Sequence, residues 1–435
     1  MTGSDKVEVR EIHTLLIYVL YVNIYNMSFE LHNFDTDREA RDFVRERVDV
    51  PIPERIEDIG RSIVLRSYTE DLGDGTFTNV YDLSFRAESV HPSVELSNQL
   101  TSVFDYVKGS TDVRVATGGG FFFLADRASA MPRQLGLNLA LQGGRLHGLP
   151  VVDREAVLIG NERLSTRYLQ ALGTLSMGAT ELGWSGSLTQ YETEAKIFAT
   201  GNSIVTHVQN DETGSIRVLE ESSRYTPVID SDDTVDIGFV LREDGTFAGI
   251  NSSTSGYLDI FSHDVVVRTH ERNIHGGLPD MRVLSLGGMA LDGSLRGALS
   301  VGPLLETEDF AAHPINKDLS LGGKPPFLDV PLARTVLYGT ADEKVHIQLF
   351  DGRPGSSIFP GVTPLGAVRL AGQNEDVTWG CFLDPGQTAK LVVRGDNDIE
   401  SYGNTHYLKL PTEPGGKFVW TPKSGRPVAS MIALR

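Results

Sequence analysis

The sequence predicts an α+β or mixed α/β protein, rich in β-structure, with an interrupted main domain behind an N-terminal strand–helix extension. Three observations lead there. The 435 residues include 45 Gly and 20 Pro but no Gly-rich tract, so turns are frequent and strands short. From Val152 to Arg282, short β-branched and aromatic runs follow one another between turn signals. On either side, strand-like runs alternate with stretches of helical periodicity, as in an α/β layer.

Glu8 to Phe34 reads as one long strand or a hairpin, and Asp35 then caps a helix carrying Ala40, Phe43, Val44 and Val48 until Pro51 and Pro53 stop it. Ser62 to Tyr68 and Phe77 to Phe85 alternate around Gly73-Asp74-Gly75, a hairpin signature. A second helix is expected over Val94 to Val107, feeding a strand from Val113 to Ala116 that runs into Thr117-Gly118-Gly119-Gly120-Phe121. In the middle block, Ile204 to Val208, Ser215 to Leu219, Thr234 to Leu241 and Asp264 to Thr269 are expected strands. The last third returns to strands at Thr335 to Gly339, Lys344 to Phe350, Thr378 to Leu383 and Leu391 to Arg394, with a helix over Thr363 to Leu370. The expected organisation is an extension over residues 1–60 and a main domain over 61–435, with a β-rich insertion at about 152–282. The apolar strand Leu15 to Tyr25 has the character of something covered, by the main sheet or by a second subunit of a homo-oligomer.

Charge and cysteine content narrow the function classes. With 39 Lys+Arg against 58 Asp+Glu the formal charge is -19, which disfavours nucleic acid and anionic lipid as partners. Leu15 to Tyr25 falls short of the roughly 20 apolar residues a bilayer span needs, and no small-residue cleavage site follows it. A cytoplasmic protein is expected, or a secreted one if a signal peptide has been removed. The single Cys381 can form no internal disulfide and no thiolate cage, and reads as core packing. His313 and His275 lack metal-ligand spacing, and neither a phosphate-binding P-loop nor a dinucleotide fingerprint is present, so no metal and no cofactor is expected.

Four stretches carry candidate chemistry. Gly118, Gly119 and Gly120 at a strand end admit left-handed backbone and could turn N–H groups toward an anion; a tight turn before an aromatic plug is the plainer account. Arg334-Thr335 opens one strand and Asp351-Gly352-Arg353 closes the next, so two guanidinium forks could share a rim and grip phosphate, unless each pairs with a surface acid. Asp384-Pro385-Gly386-Gln387-Thr388 follows another strand, where Asp384 could act as acid or base or serve as a turn residue.

In order and spacing, together with Gly361-Val362-Thr363 and Arg426-Pro427-Val428-Ala429, these stretches resemble the phosphodiester glycosidase family from about Ile63 onward. Thr117 stands where that family has Asn, Pro385 and Gln387 replace two loop glycines, Thr388 replaces Ser, and Leu365-Gly366 replaces an acidic helix start. The resemblance, which extends to bacterial relatives, implies a hydrolase acting on a glycosidic bond, with a sugar 1-phosphodiester as substrate. Asp384 and Asp351 would be catalytic. Gly118, Gly119, Gly120, Arg334, Thr335, Arg353, Gln387 and Thr388 would bind substrate. Two alternatives stand beside it: a glycosidase or transglycosylase on unphosphorylated sugars, drawing its acids from Asp126, Asp153 or Asp351, and a non-catalytic carbohydrate-binding protein on the same scaffold.

Overall fold

The computed structural model describes residues 30–32, 50–121, 139–161, 163–199, 208–210, 216–218, 225–313, 330–353, 356–373, 376–396, 398–403, 406–409, 418–421 and 423–435. The expected helix after Asp35 and most of Glu8 to Phe34 lie outside them. Strand makes up 51% and helix 8%, and the described residues hold two α-helices: α1 (Val103–Gly109) and α2 (Pro364–Ala371).

The expectation of an α+β or mixed α/β class is therefore corrected: the protein is a β-protein built from sandwiched sheets and a seven-stranded barrel. An α/β layer needs parallel strands joined by crossover helices. Here every described strand pair is antiparallel except Thr180–Gly186 with Ala195–Ala199. The residues behind the mistaken helix show why. Val94 packs in the core with Leu96 against it, while Ser93 and Glu95 alternate with them, and this period-two run forms the strand Pro92–Thr101 paired with Val428–Leu434. The helix begins only at Ser102, whose Oγ accepts from the Asp105 N–H as an N-cap.

Two antiparallel sheets face each other. The first runs Arg55–Gly60, Ile63–Gly73, Thr76–Arg86, Lys344–Phe350, Arg334–Thr340, Val377–Phe382; the second runs Ile399–Gly403, Lys390–Arg394, Val115–Gly118, Val428–Leu434, Pro92–Thr101. The hairpin at Gly73-Asp74-Gly75 holds all three residues at positive φ (91°, 53° and 73°), which glycine and aspartate tolerate. Leu83, Leu337 and Ile347 of the first sheet and Leu391, Val393, Ile432 and Leu434 of the second form a shared core. α2 covers the outer face of the first sheet through Ala367, Leu370 and Ala371, started by the Thr363 cap and Pro364. α1 covers the second through Val103 and Val107.

A third sheet (Leu164–Leu169, Arg154–Ile159, Gly297–Ser300, Ala140–Gln142, Arg145–Gly148) links this body to the barrel. Val157, Ile159 and Leu299 point into the sandwich core; Ala156, Leu158 and Ala298 point into the barrel core. Burial on both faces explains the unbroken buried run Arg154–Ile159. The barrel takes Leu172–Met177, Thr180–Gly186, Ala195–Ala199, Val265–His270, Thr234–Leu241, Phe247–Ser253 and Asp280–Leu286, and the last pairs back onto the first.

Candidate functional site

The Asp384 loop is stitched by backbone hydrogen bonds to two other candidate stretches. Asp384 N–H donates to the Gly119 carbonyl (3.0 Å), Gly386 N–H to the Ala333 carbonyl (2.8 Å), and Leu383 N–H to the Thr335 carbonyl (3.0 Å). The Thr388 hydroxyl closes the loop on the carbonyls of Asp384 (2.9 Å) and Pro385 (3.0 Å). Gly386 sits at φ 79°, so the retained glycine supplies the left-handed step of the 3-10 turn Gly386–Thr388, on which Gln387 also lies. Asp351-Gly352-Arg353 reaches the same corner through close backbone contact. A methyl on Gly352 would lie 2.1 Å from Gly361 Cα, and one on Gly361 would lie 2.3 Å from the Leu332 carbonyl carbon. The fold thus gathers the five motif stretches from Gly118 to Thr388 at one corner.

Side chains within that corner divide into different roles. Asp384 is half-buried, with burial pushing its carboxyl up to about 7, while the Arg426 charge and the Thr388 hydroxyl partly oppose the shift. Arg426, inside the last motif but not singled out as a site residue, is thus the cation whose charge acts on Asp384. Arg334 is fully buried on the face covered by α2. Its Nε donates to the Val362 carbonyl (2.7 Å), its Nη2 to the Val330 carbonyl (2.8 Å), and its guanidinium carbon lies 6.0 Å from the Phe382 ring centroid. Burial lowers its pKa to about 9. Two of its donors thus tie chain segments together, away from any open rim. Thr335 is buried on the opposite face, and its hydroxyl has no hydrogen-bond partner among the described residues. Arg353 is half-buried, its N–H donating to the Phe359 carbonyl (2.9 Å).

Asp351 is held by Asn79, Thr78 and Gly352: its N–H donates to the Asn79 carbonyl (2.8 Å), its carbonyl accepts from Thr78 Oγ1 (2.7 Å), and its Oδ1 accepts from Gly352 N–H (2.9 Å). Its charge acts on two buried groups. Lys390 is lowered to about 8 by burial, with Asp351 opposing, and the Tyr81 phenol is raised by burial and by Asp351. Neither was expected from sequence.

The glycines behave differently from their expected anion-binding use. None of Gly118, Gly119 or Gly120 has positive φ, and all three are buried. Gly119 N–H donates to the Ser430 carbonyl (3.0 Å) and Gly120 N–H to Ser430 Oγ (3.1 Å). Their lack of a Cβ serves packing: a methyl at Gly118 would lie 2.5 Å from the Thr388 carbonyl oxygen, and one at Gly120 2.2 Å from that of Ser300.

Beyond Gly120, Phe121 packs in one cluster with Phe310 and Phe382, and Arg154 lies over its ring at 5.7 Å. Beside them His313 Nε2 and Glu155 Oε1 are 2.8 Å apart, both side chains nearly buried. The signal for this pair in the sequence was Arg154-Glu155 opening an apolar run; nothing tied it to His313. Cys381 is buried, its thiol raised by burial and by the Glu155 charge. No group of three metal-ligating side chains occurs among the described residues, and none of their helices is long and apolar enough to cross a membrane. A cavity of about 940 Å3 opens elsewhere, at the edge of the second sheet, lined by none of the candidate residues.

No family model matches the chain, and no curated protein matches it. Among solved structures it is similar to a hypothetical protein from Synechocystis, with TM-score 0.56 and 12% identity over 88% of this chain and 64% of that one. The chain thus spans 64% of that protein's length, and at this identity the likeness is one of fold. Two weaker similarities are to a candidate exported protein from Burkholderia pseudomallei K96243 (TM-score 0.47, 13% identity, 93% and 90% covered) and to the zebrafish N-acetylglucosamine-1-phosphodiester alpha-N-acetylglucosaminidase catalytic domain auto-inhibited by its pro-peptide (0.38, 14%, 94% and 96%).

Proposed function

We propose that the chain is a hydrolase of a glycosidic bond, with a sugar 1-phosphodiester as its substrate class. The observation that carries the reading is the gathering of the ordered motifs around one carboxyl, Asp384, that keeps its proton up to about pH 7 beside a cation, Arg426. A protonated carboxyl can donate to the phosphodiester oxygen as the bond from sugar C1 breaks. Water then supplies the new C1 hydroxyl, and its remaining proton restores the acid. A phosphate departs without full protonation, so a single well-placed acid can serve where alkyl glycosides use a carboxylate pair. Arg426 is the phosphate-binding group in this scheme, with Arg353 as a second cation contributed by the Asp351-Gly352-Arg353 stretch. Arg334 sets the corner's shape from behind, and Asp351 orders the Lys390 side.

The test is incubation of purified protein with uridine diphosphate N-acetylglucosamine and with methyl N-acetylglucosamine 1-phosphate, following released sugar. Expected are turnover by the wild type, a loss of about 100-fold or more in Asp384→Asn, and a raised KM in Arg426→Gln. Release of sugar by Asp384→Asn at the wild-type rate, or none by the wild type, removes the reading. The sealed Arg334 guanidinium favours one second reading, carbohydrate binding without turnover. Sugar phosphates would then raise the melting temperature with no product formed.

A further inference from the structure

The cavity at the edge of the second sheet is lined by side chains from the turn at Arg61, from α1 and from the strand Ile399–Gly403. We propose that it binds a small anionic polyol, a sugar bearing a phosphate or a carboxylate, at a site separate from the Asp384 loop. The charges on its wall are unevenly satisfied. Arg61, Lys108 and Lys423 are exposed on it, and none forms a side-chain hydrogen bond or ion pair among the described residues, although the Lys108 charge acts on Asp105 one turn earlier in α1. The acids alongside them are mostly engaged. Asp112 takes Arg435 Nε at 2.9 Å, Asp396 lies 3.8 Å from Arg114, and Glu400 accepts the Tyr402 hydroxyl. A chain of charge -19 therefore leaves three cations facing one concavity.

The ligand class follows from that mixture. A polyanion would meet Asp396, Asp398 and Glu400 on the same wall and be repelled. A neutral sugar would leave the cations unmatched. A polyol with one anionic group satisfies both: its hydroxyls donate to the carboxylates, and its phosphate or carboxylate accepts from Lys and Arg. Phe104 and Tyr402 add apolar surface, and Tyr402 packs against the Tyr81 ring in a tilted arrangement with centroids 4.8 Å apart.

The wall is also preformed. The Arg394 guanidinium donates to the carbonyls of Val113 (3.1 Å), Ser110 (2.6 Å) and Val107, locking the end of α1 to the neighbouring strand. Arg61 itself holds φ 53° in a tight turn, a conformation that favours glycine or asparagine.

Titration calorimetry at low salt tests the proposal with three probes: glucose 1-phosphate, glucuronate and glucose. At least one anionic probe is expected to bind with Kd below about 1 mM, glucose far more weakly, and the Lys108→Gln/Lys423→Gln double variant about tenfold more weakly than wild type. Arg61→Gln, an independent surface change, is expected to act in the same direction. Binding by glucose 1-phosphate alone assigns the phosphate; binding by glucuronate alone assigns the carboxylate. Asp384→Asn should leave the affinity unchanged, so an inactive enzyme does not remove this site. No saturable binding, or binding lost in Asp384→Asn and kept in the double variant, overturns it.

Discussion

At Asp384 a single carboxyl links stability to pH with a definite sign. Its ordinary value is 3.8 and burial pushes it up to about 7. Between those values the folded chain holds a proton that the unfolded chain has released, so stability falls as pH rises through that window. The melting temperature of the wild type should accordingly drop from pH 5 to pH 8 by more than that of Asp384→Asn, which has nothing to ionise there. An equal drop in both would show that the carboxyl is not desolvated. If Asp384 is the acid, kcat also declines above about pH 7, because the proton it must donate is gone. Arg334 gives a complementary prediction. Removing it strands the Val362 and Val330 carbonyls and leaves a void beside Phe382. Denaturant unfolding of Arg334→Ala should show a loss of about 3 kcal/mol or more. A surface rim arginine would show almost none. Sequence could place Arg334 at a strand start, but its side is set by parity: Arg334, Val336 and Tyr338 share the face that α2 covers, and the cover is tertiary.

Among the elements, those whose partners lie nearby in sequence were legible. The Gly73-Asp74-Gly75 hairpin, the Thr363-capped helix and the strand Lys344–Phe350 follow from local patterns alone. The run from Val94 was not, because Val94-Glu95-Leu96 fits a short helix or a strand until the partner Val428–Leu434, more than three hundred residues away, selects the period. The triple glycine was legible as a strand end ahead of an aromatic plug; what packs against its backbone was not. The geometry ranks its three positions. At Gly118 and Gly120 an added methyl meets a backbone carbonyl oxygen, at 2.5 and 2.2 Å; at Gly119 the nearest atoms are the side-chain atoms Leu299 Cδ2 and Ser430 Oγ, at 2.7 and 2.8 Å, with the Ser430 carbonyl carbon at 3.0 Å, so the methyl is admitted by a shift of Leu299 and at the expense of the Gly120 N–H bond to Ser430 Oγ. Guanidinium unfolding should therefore find Gly119→Ala least harmful, within the roughly 1–3 kcal/mol of an overpacked core, with the other two beyond it. A ligand-binding role with free space around the glycines would instead give three near-neutral variants.

For the whole molecule, the barrel and the charge belong to one argument about distant groups. Closure joins Leu172–Met177 to Asp280–Leu286, and Trp184 reaches over Gly173 of the first of these to donate from Nε1 to the Ser285 carbonyl (3.3 Å) on the second. No local pattern announces such a pairing, which is why the middle block read only as a β-rich insertion. The formal charge of -19, by contrast, is fully legible, and its effect is collective. Like charges spread over one folded surface repel, and unfolding relaxes that repulsion. Salt screens it: at about 0.15 M the Debye length is about 8 Å, shorter than most distances across the molecule. Arg268 and Asp236 in the barrel, 2.7 Å apart with the Asp fully buried, are shielded from that screening. The melting temperature should therefore rise by a few degrees between low salt and about 0.15 M, where about 1 kcal/mol corresponds to about 2–4 °C in large domains. Over the same range the affinity of the cavity for glucose 1-phosphate should fall, since salt also screens its three exposed cations. If both quantities rise together, the global charge outweighs Arg61, Lys108 and Lys423, and the local reversal of potential that an anionic ligand requires is absent.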